Sequence, residues 1–269
     1  MLDLFEVDWK DVWRGSHAVE PVGAVFTRPE IVDLILDLAG YRPEESRLSA
    51  LRVLEPGCGD GAFLTEVVRR LIVSERMHRK RIDWRDPVLR TSIRAVDISE
   101  TSLQVARSQI ANQLSEAGCP AGKARELADT WTVHGDFLLH SWGSPFDLVV
   151  GNPPYVRIEE LPRRVLDRYR QLFETTTDRA DIYVAFVERG LQLLSPNGAL
   201  AFICANRFAK NKYGEALRSL IANQYRVRYY LNLEHTQPFA SEVSAGAVPN
   251  VVENQVLPRV KRRVRPRWM

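Results

Sequence analysis

The sequence predicts an α/β fold, a mostly parallel central sheet with helices on both faces. Three observations predict it. Short apolar runs alternate along the chain with stretches that carry apolar residues at helical spacing. The first strand-like run, "LRVLEPGCGDG" (51–61), breaks into a glycine-rich loop that opens a helix. Successive runs then end in polar or acidic residues, and in an open parallel sheet a ligand lies beyond those carboxyl ends.

Each element follows from its residues. After an irregular opening over 1–22, "RPEIVDLILDLAG" (28–40) has a helical apolar stripe and stops at Gly40, a C-cap residue. The glycine loop opens a helix over 62–73, and the charged stretch 74–87 reads as an inserted surface segment. Strands are expected over 92–99, 130–137 and 145–152, with a helix over 101–117 between the first two. Helices follow around 160–173 and 180–194, then the turn "SPNG" (195–198) and a strand over 199–205. A helix near 213–223 and a strand over 226–233 complete the alternation. The remainder, 241–269, mixes short apolar runs with prolines and ends with five basic residues among its last nine. It is expected to be a solvated, disordered tail, and "GAVPNVVENQV" is a poor strand.

The chain has 269 residues, 45% of them hydrophobic and 26% charged, enough to bury a full core. A net charge of +3 leans only mildly toward polyanions. Cys58, Cys119 and Cys204 are odd in number and far apart, so they read as reduced thiols in a cytoplasmic protein, with neither a disulfide frame nor a zinc site. The start is acidic where a secretory signal is basic, and no apolar stretch approaches the roughly 20 residues that span a bilayer.

The strand ends carry the chemistry. Gly57, Gly59 and Gly61 let the backbone turn tightly against a ligand, and no Lys-Ser/Thr follows to make a P-loop. Asp97, ending the second strand, can accept both hydroxyl hydrogens of a ribose, although it could equally cap the next helix. Asp136 offers a carboxylate to an adenine amino group. Phe137 beside it is by default a core ring, yet can pack on a base. Three consecutive strand ends matching a nucleoside in order favour a bound adenosine. The fourth ends in Asn152-Pro153-Pro154-Tyr155. Proline locks φ and has no amide hydrogen, so the loop is rigid and its carbonyls are available as acceptors. The Asn152 side-chain oxygen and the Pro153 carbonyl can then hold both hydrogens of one amino group and aim its lone pair at an electrophile. Tyr155 offers a face on which a planar base stacks, worth about 1–3 kcal/mol.

On these residues the chain resembles the class I methyltransferases that use S-adenosylmethionine. More narrowly, it resembles the adenine-specific DNA methyltransferases of restriction-modification systems whose cofactor region comes first. The resemblance covers about residues 20–240. It implies a Rossmann-like catalytic domain over 23–240 and S-adenosylmethionine as cofactor. "GAVFTRPEIV" (23–32) points to Thr27 in the cofactor site, and "EPGCGDG" places Glu55, Gly57, Cys58 and Gly59 at the cofactor's amino-acid end. Asp97 matches the ribose-binding acid, Asp136 and Phe137 the adenine-binding pair, and NPPY the catalytic motif, roughly 90 residues after the glycine loop. Phe239 matches an aromatic that stacks on the flipped-out base, with a buried structural phenylalanine as the alternative. The expected partner is DNA with a target adenine, and no membrane or metal is expected. No stretch matches a separate target-recognition domain, which makes a specificity or nuclease subunit a candidate partner. Two other readings stand beside this one: methyl transfer to RNA adenine or protein glutamine, which needs the same two acceptors, and a truncated, non-catalytic subunit. The arginine-rich segments 76–90 and 157–170 read first as solvated faces and second as phosphate contacts.

Overall fold

Buried apolar runs make the strands and longer amphipathic stretches make the helices, and the computed structural model describes residues 8–14, 27–177, 180–231, 233, 239 and 247–253. In chain order the elements are α1 (Trp9–Trp13), α2 (Pro29–Leu38), β1 (Val53–Pro56), α3 (Ala62–His78), α4 (Pro87–Ser92) and β2 (Ile93–Asp97). Then come α5 (Glu100–Glu116), α6 (Ala121–Trp131), β3 (Thr132–His134), β4 (Phe146–Gly151), α7 (Arg163–Leu172) and α8 (Tyr183–Gln192). The last are β5 (Leu194–Ala205), α9 (Arg207–Lys210), α10 (Glu215–Gln224), β6 (Arg226–Tyr230) and β7 (Ala247–Glu253).

The strands form one sheet in the order β3-β2-β1-β4-β5-β7-β6. β1 to β5 pair in parallel, and β7 lies antiparallel between β5 and β6. Strand side chains alternate between faces, so each run serves two cores. Val53, Ala95, Leu148, Val150 and Ile203 pack with α2, α3, α5 and α6. Leu54, Val96, Val149, Leu200 and Phe202 pack with α7, α8 and α10. Because β2 and β3 build outward on one side of β1 and β4 and β5 on the other, strand order reverses between β1 and β4, which opens a crevice at their carboxyl ends.

Several expectations are corrected. The opening segment holds a helix, α1, capped by the Asp8 carboxylate accepting from Lys10 N. The helix expected to stop at 73 runs on to His78, taking up part of the supposed surface insertion. Ser74 and Glu75 are buried there, and Glu75 is ion-paired with Arg47 and Arg79, which both also hold Asp86. A continuous charged sequence concealed a buried network. Helix α6 was not expected because half of its inward face is alanine, with Ala124, Leu127, Ala128 and Trp131 buried. The turn at 195–198 is a bulge within β5, where pairing jumps from Phe146↔Leu194 to Leu148↔Ala199. Residues 247–253, expected within the tail, form β7. Pro249 disguises this strand, since proline rarely sits inside a sheet. It is tolerated because pairing with β6 reaches only Asn250, leaving Pro249 paired with β5 alone. The rest of the supposed tail, 241–246 and 254–269, lies outside the described residues.

Helix α2 is fastened to α3 by one buried cation. Arg70, 6% exposed, bonds Asp33 and Asp37 of α2, Glu66 of its own helix and the Tyr41 carbonyl. Removing one member of a buried ion pair costs about 3–5 kcal/mol. Asp33 and Asp37 remain half in water, so Arg70→Leu is expected to cost less, about 2 kcal/mol, read by denaturant unfolding. The Arg70 hydrogen bond also holds the Asp33 carboxyl below its usual range. That contribution is present above the unfolded value, about pH 4, and is lost as pH falls through the folded one, so the variant should show a shallower acid limb.

Candidate active site

The loop after β1 is shaped by backbone conformations that only glycine adopts freely. Gly57 and Gly59 have φ of +67° and +52°. This turns two consecutive amides, Gly57 N and Cys58 N, onto the Val96 carbonyl at 2.8 and 3.1 Å, stitching the loop to the end of β2. The Gly59 amide donates to Asp97 Oδ2 at 2.8 Å. The first turn of α3 has no side-chain cap from Gly61, and the Leu64 amide hydrogen-bonds the Glu55 carboxylate instead.

Three carboxylates stand along the strand ends. Glu55 is 4% exposed; burial, reinforced by the charge of Asp97, raises its pKa well above the usual value. Its Oε2 is buried without a hydrogen-bond partner among the described residues. Asp97 is raised by burial and held by the Ser99 and Gly59 amides, one on each oxygen at 2.8 Å. It therefore keeps a lone pair on each oxygen. Asp136 is also raised by burial, yet is densely partnered: Trp13 Nε1 and the Tyr169 hydroxyl donate to Oδ2 at 2.8 and 2.5 Å, and Leu138 N donates to Oδ1 at 2.8 Å. Phe137 packs against Phe186 with ring centroids 5.0 Å apart.

β4 ends beside β1 at Gly151, whose φ of +148° is a conformation that L side chains rarely adopt. Asn152 Nδ2 donates to Thr27 Oγ1 at 3.3 Å, which turns the amide oxygen to the other side. Pro154 packs on the glycine loop, where a Cβ on Gly57 would meet its Cδ at 3.4 Å. Thr27 forms an antiparallel bridge with Phe239, whose carbonyl accepts from Arg28 Nε.

A cavity of about 350 Å³ joins these parts. Thr27, Glu55, Gly57, Cys58, Gly59, Asp97, Asp136, Phe137, Asn152, Pro153 and Pro154 all line it. Tyr155 and Phe239 do not belong to that lining. The Tyr155 hydroxyl donates to the Ile203 carbonyl, and its ring meets Phe239 edge-on at 6.2 Å and 73°. The two rings are therefore not parallel to one another. Sequence reasoning missed Trp13, Leu161, Tyr169, Ile182 and Phe186, which also line the cavity. The helical stripe that buries Val165 and Tyr169 is the one signal that pointed to Tyr169. Of the two basic segments, 76–90 follows the far end of α3, roughly 25 Å of helix from the loop that opens it. Its Arg79 and Arg90 are ion-paired with Asp86 and Glu126. The segment 157–170 follows the NPPY loop directly and reaches the cavity through Leu161 and Tyr169. Among the described residues no cluster of histidine, cysteine or acids could hold a metal ion, and no helix is long and apolar enough to cross a membrane.

A parallel sheet with this strand order and a ligand-sized cavity at its reversal point defines the class I S-adenosylmethionine-dependent methyltransferase fold. A Listeria monocytogenes protein assigned to that class superposes with a TM-score of 0.62 at 16% identity, over 98% of this chain and 72% of that one. The type ISP restriction-modification enzyme LlaBIII, solved bound to DNA, also matches at 0.62 and 20% identity, over 88% of this chain and 19% of its own. Residues 90–239, more than half of the chain, match the Eco57I restriction-modification methylase family, and the chain belongs to that family. The type II methyltransferase M.XhoI of Xanthomonas vasicola is 41% identical over 244 residues, 91% of this chain and 44% of the relative. M.PaeR7I of Pseudomonas aeruginosa is 42% identical over 237 residues, 88% of this chain and 41% of the relative. The chain thus spans less than half the length of these curated relatives.

The contact between the two loops gives a direct expectation. Gly57→Ala places a side chain in the left-handed region and against Pro154, at a cost of about 1–2 kcal/mol. Thermal unfolding should register it as a lowered Tm, whereas a wild-type Tm would mean that the loop relaxes freely.

Proposed function

We propose that this chain carries the catalytic part of a site-specific DNA methyltransferase, which moves a methyl group from S-adenosylmethionine to the exocyclic amine of a flipped-out adenine. The observation that carries the reading is one cavity lined both by the glycine loop with Glu55 and Asp97 and by Asn152-Pro153-Pro154. The residues fit the cofactor. Glu55 Oε2 is a buried acceptor lacking a partner among the described residues and suits the amino group of an amino-acid tail. The lone pairs left on Asp97 suit ribose hydroxyls, and the Phe137 side of the cavity suits a purine. When bound, S-adenosylmethionine supplies an electrophilic methyl group on a sulfonium.

The chain's own task is to position the acceptor. The Asn152 side-chain oxygen and the Pro153 carbonyl each accept one hydrogen of the target amine, which turns the nitrogen lone pair toward the methyl carbon. The nitrogen–carbon bond forms as the carbon–sulfur bond breaks, and the surplus amine proton passes to solvent. Alignment of this kind supplies much of an enzyme's acceleration. Adenine must leave the duplex to reach Asn152, at a few kcal/mol. Its admission requires the Tyr155–Phe239 pair to separate, after which Tyr155 can present its face. The relatives named type II methyltransferases favour DNA over RNA or protein. Part of their length lies beyond the matched stretch, so recognition of the DNA site is assigned to a partner or to a region outside this one.

Asn152→Ala should abolish tritiated methyl transfer to DNA while S-adenosylhomocysteine binds as to wild type, and an active alanine variant rules out the assigned role. Sequencing methylated adenines in a host expressing the chain, with and without a candidate partner subunit, reports substrate and site together. Affinity for S-adenosylhomocysteine should fall with acid. Because burial raises Glu55 and Asp97, their charge is lost at a pH above the ordinary carboxylate value of about 4, and the binding midpoint should lie above it too.

A further inference from the structure

The chain beyond β5 folds into a basic knuckle that neither the cofactor nor the target amine uses. Its sequence, "RFAKNKYG" (207–214), carries three cations and no acid. It contains α9 and a 3₁₀ turn, Lys212–Gly214, just ahead of α10. Connecting segments are ordinarily the mobile parts of a surface, yet this one is tied at several points. Phe208 is buried, and its amide donates to the Tyr183 hydroxyl at 2.9 Å. Arg218 of α10 reaches back with Nη1 to the Phe208 and Asn211 carbonyls. Gly214 lies so close that a Cβ on it would meet the Phe208 carbonyl oxygen at 1.9 Å. Asp181, 8% exposed, accepts from the Tyr213 hydroxyl at 3.2 Å and lies 3.7 Å from Arg207 Nη1. Arg207 still has 42% of its side chain in solvent, and Lys210 and Lys212 are exposed.

The knuckle stands beside the Tyr155 end of the site. Tyr155 bonds the Ile203 carbonyl, a few residues ahead of Arg207 in the chain. Ring-to-ring steps of 6.4 Å lead from Tyr155 to Tyr183 and again from Tyr183 to Phe208. Asp181 bridges to Arg157, and a chain neighbour of each, Ile182 and Val156, lines the cavity. Glu159 and Glu160 follow Arg157, so the net positive charge belongs to the knuckle and not to the NPPY loop. We propose that Arg207 and Lys212, with Lys210 between them in the sequence, hold the phosphates of the DNA strand close to the flipped-out nucleotide. Two ring steps correspond to about four base-pair rises of about 3.4 Å, so the cations lie within reach of the strand that delivers a base to Tyr155. A backbone already fixed leaves only side chains to be ordered when phosphate binds. Such contacts set position and orientation on the duplex and read no sequence. The proposal rests on DNA being the substrate, and it gives this chain a grip on the backbone that is separate from recognition of the site.

Fluorescence anisotropy of a labelled duplex with one adenine opposite an abasic position, titrated with the full chain over a range of salt concentrations, tests this. Each phosphate contact contributes about 0.9 to the slope of log affinity against log salt. Arg207→Ala/Lys212→Ala should therefore be shallower than wild type by about two. Its affinity should fall about tenfold less between about 50 and about 200 mM salt. Lys80→Ala/Arg81→Ala removes the same charge just past the far end of α3 and should keep the wild-type slope. Tm and affinity for S-adenosylhomocysteine should stay close to wild type in both. The grip is overturned if the two double variants share one slope, or if the wild type binds no duplex at low salt. It is overturned as a DNA contact if the loss of slope appears with an RNA duplex and not with DNA. Should the first double variant fail to fold, Lys212→Ala decides alone by a change of about one. Methyl transfer separates the two readings. A wild type that grips DNA through these cations but transfers no methyl group overturns the proposed function and leaves the grip. Transfer by a wild type whose slope does not depend on them overturns the grip alone.

Discussion

β1 and β4 lie side by side at the centre of the sheet, and the loops leaving their carboxyl ends touch. Gly151 and Gly57 both take positive-φ conformations that L side chains rarely adopt, and Pro154 packs in van der Waals contact with the Gly57 loop. The cavity lies where these loops meet. The glycine loop is held from the other side by Val96 and Asp97 of β2, so three neighbouring strands share one rigid rim. Thr27, just ahead of α2, closes the rim by accepting from Asn152, and Arg70 fastens α2 to the helix that the glycine loop opens.

The rim is electrostatically costly. Glu55, Asp97 and Asp136 are all raised by burial, and Asp97 raises Glu55 further. A stable core would avoid three such groups on adjacent strands, and clusters of perturbed acids mark functional sites. The protein offsets the cost unevenly. Asp136 is held by two side chains and one amide, Asp97 by amides alone, while Glu55 keeps an acceptor atom without a partner among the described residues. That gradient runs along the strand order and leaves the most acceptor capacity near the centre of the sheet, beside the NPPY loop.

The Tyr155 end of the site is held by packing. Tyr155 is tied through its hydroxyl to β5 and edge-packed on Phe239, which bridges to Thr27. The same bridge connects Phe239 to Asn152 through one threonine, so separation of the aromatic pair and orientation of the asparagine amide are mechanically related.

Much was legible in the sequence because it is local. Apolar spacing gives the strand–helix alternation, glycines at positive φ give the loop after β1, and paired prolines give the stiff corner after β4. These depend on neighbours in the chain, so the strand ends from Gly57 to Pro154 stood out in the sequence, whereas Thr27, Glu55 and Cys58 were implied only by the resemblance to a family. What escaped was settled by distant contacts. How many acceptor sites Asp136 keeps depends on an indole 123 residues away. Whether Tyr155 faces the cavity depends on β5 and Phe239, and whether a proline-bearing stretch becomes β7 depends on how far β6 pairs beside it. Hydrogen-bond saturation and packing belong to the assembled fold, and no local spacing encodes them.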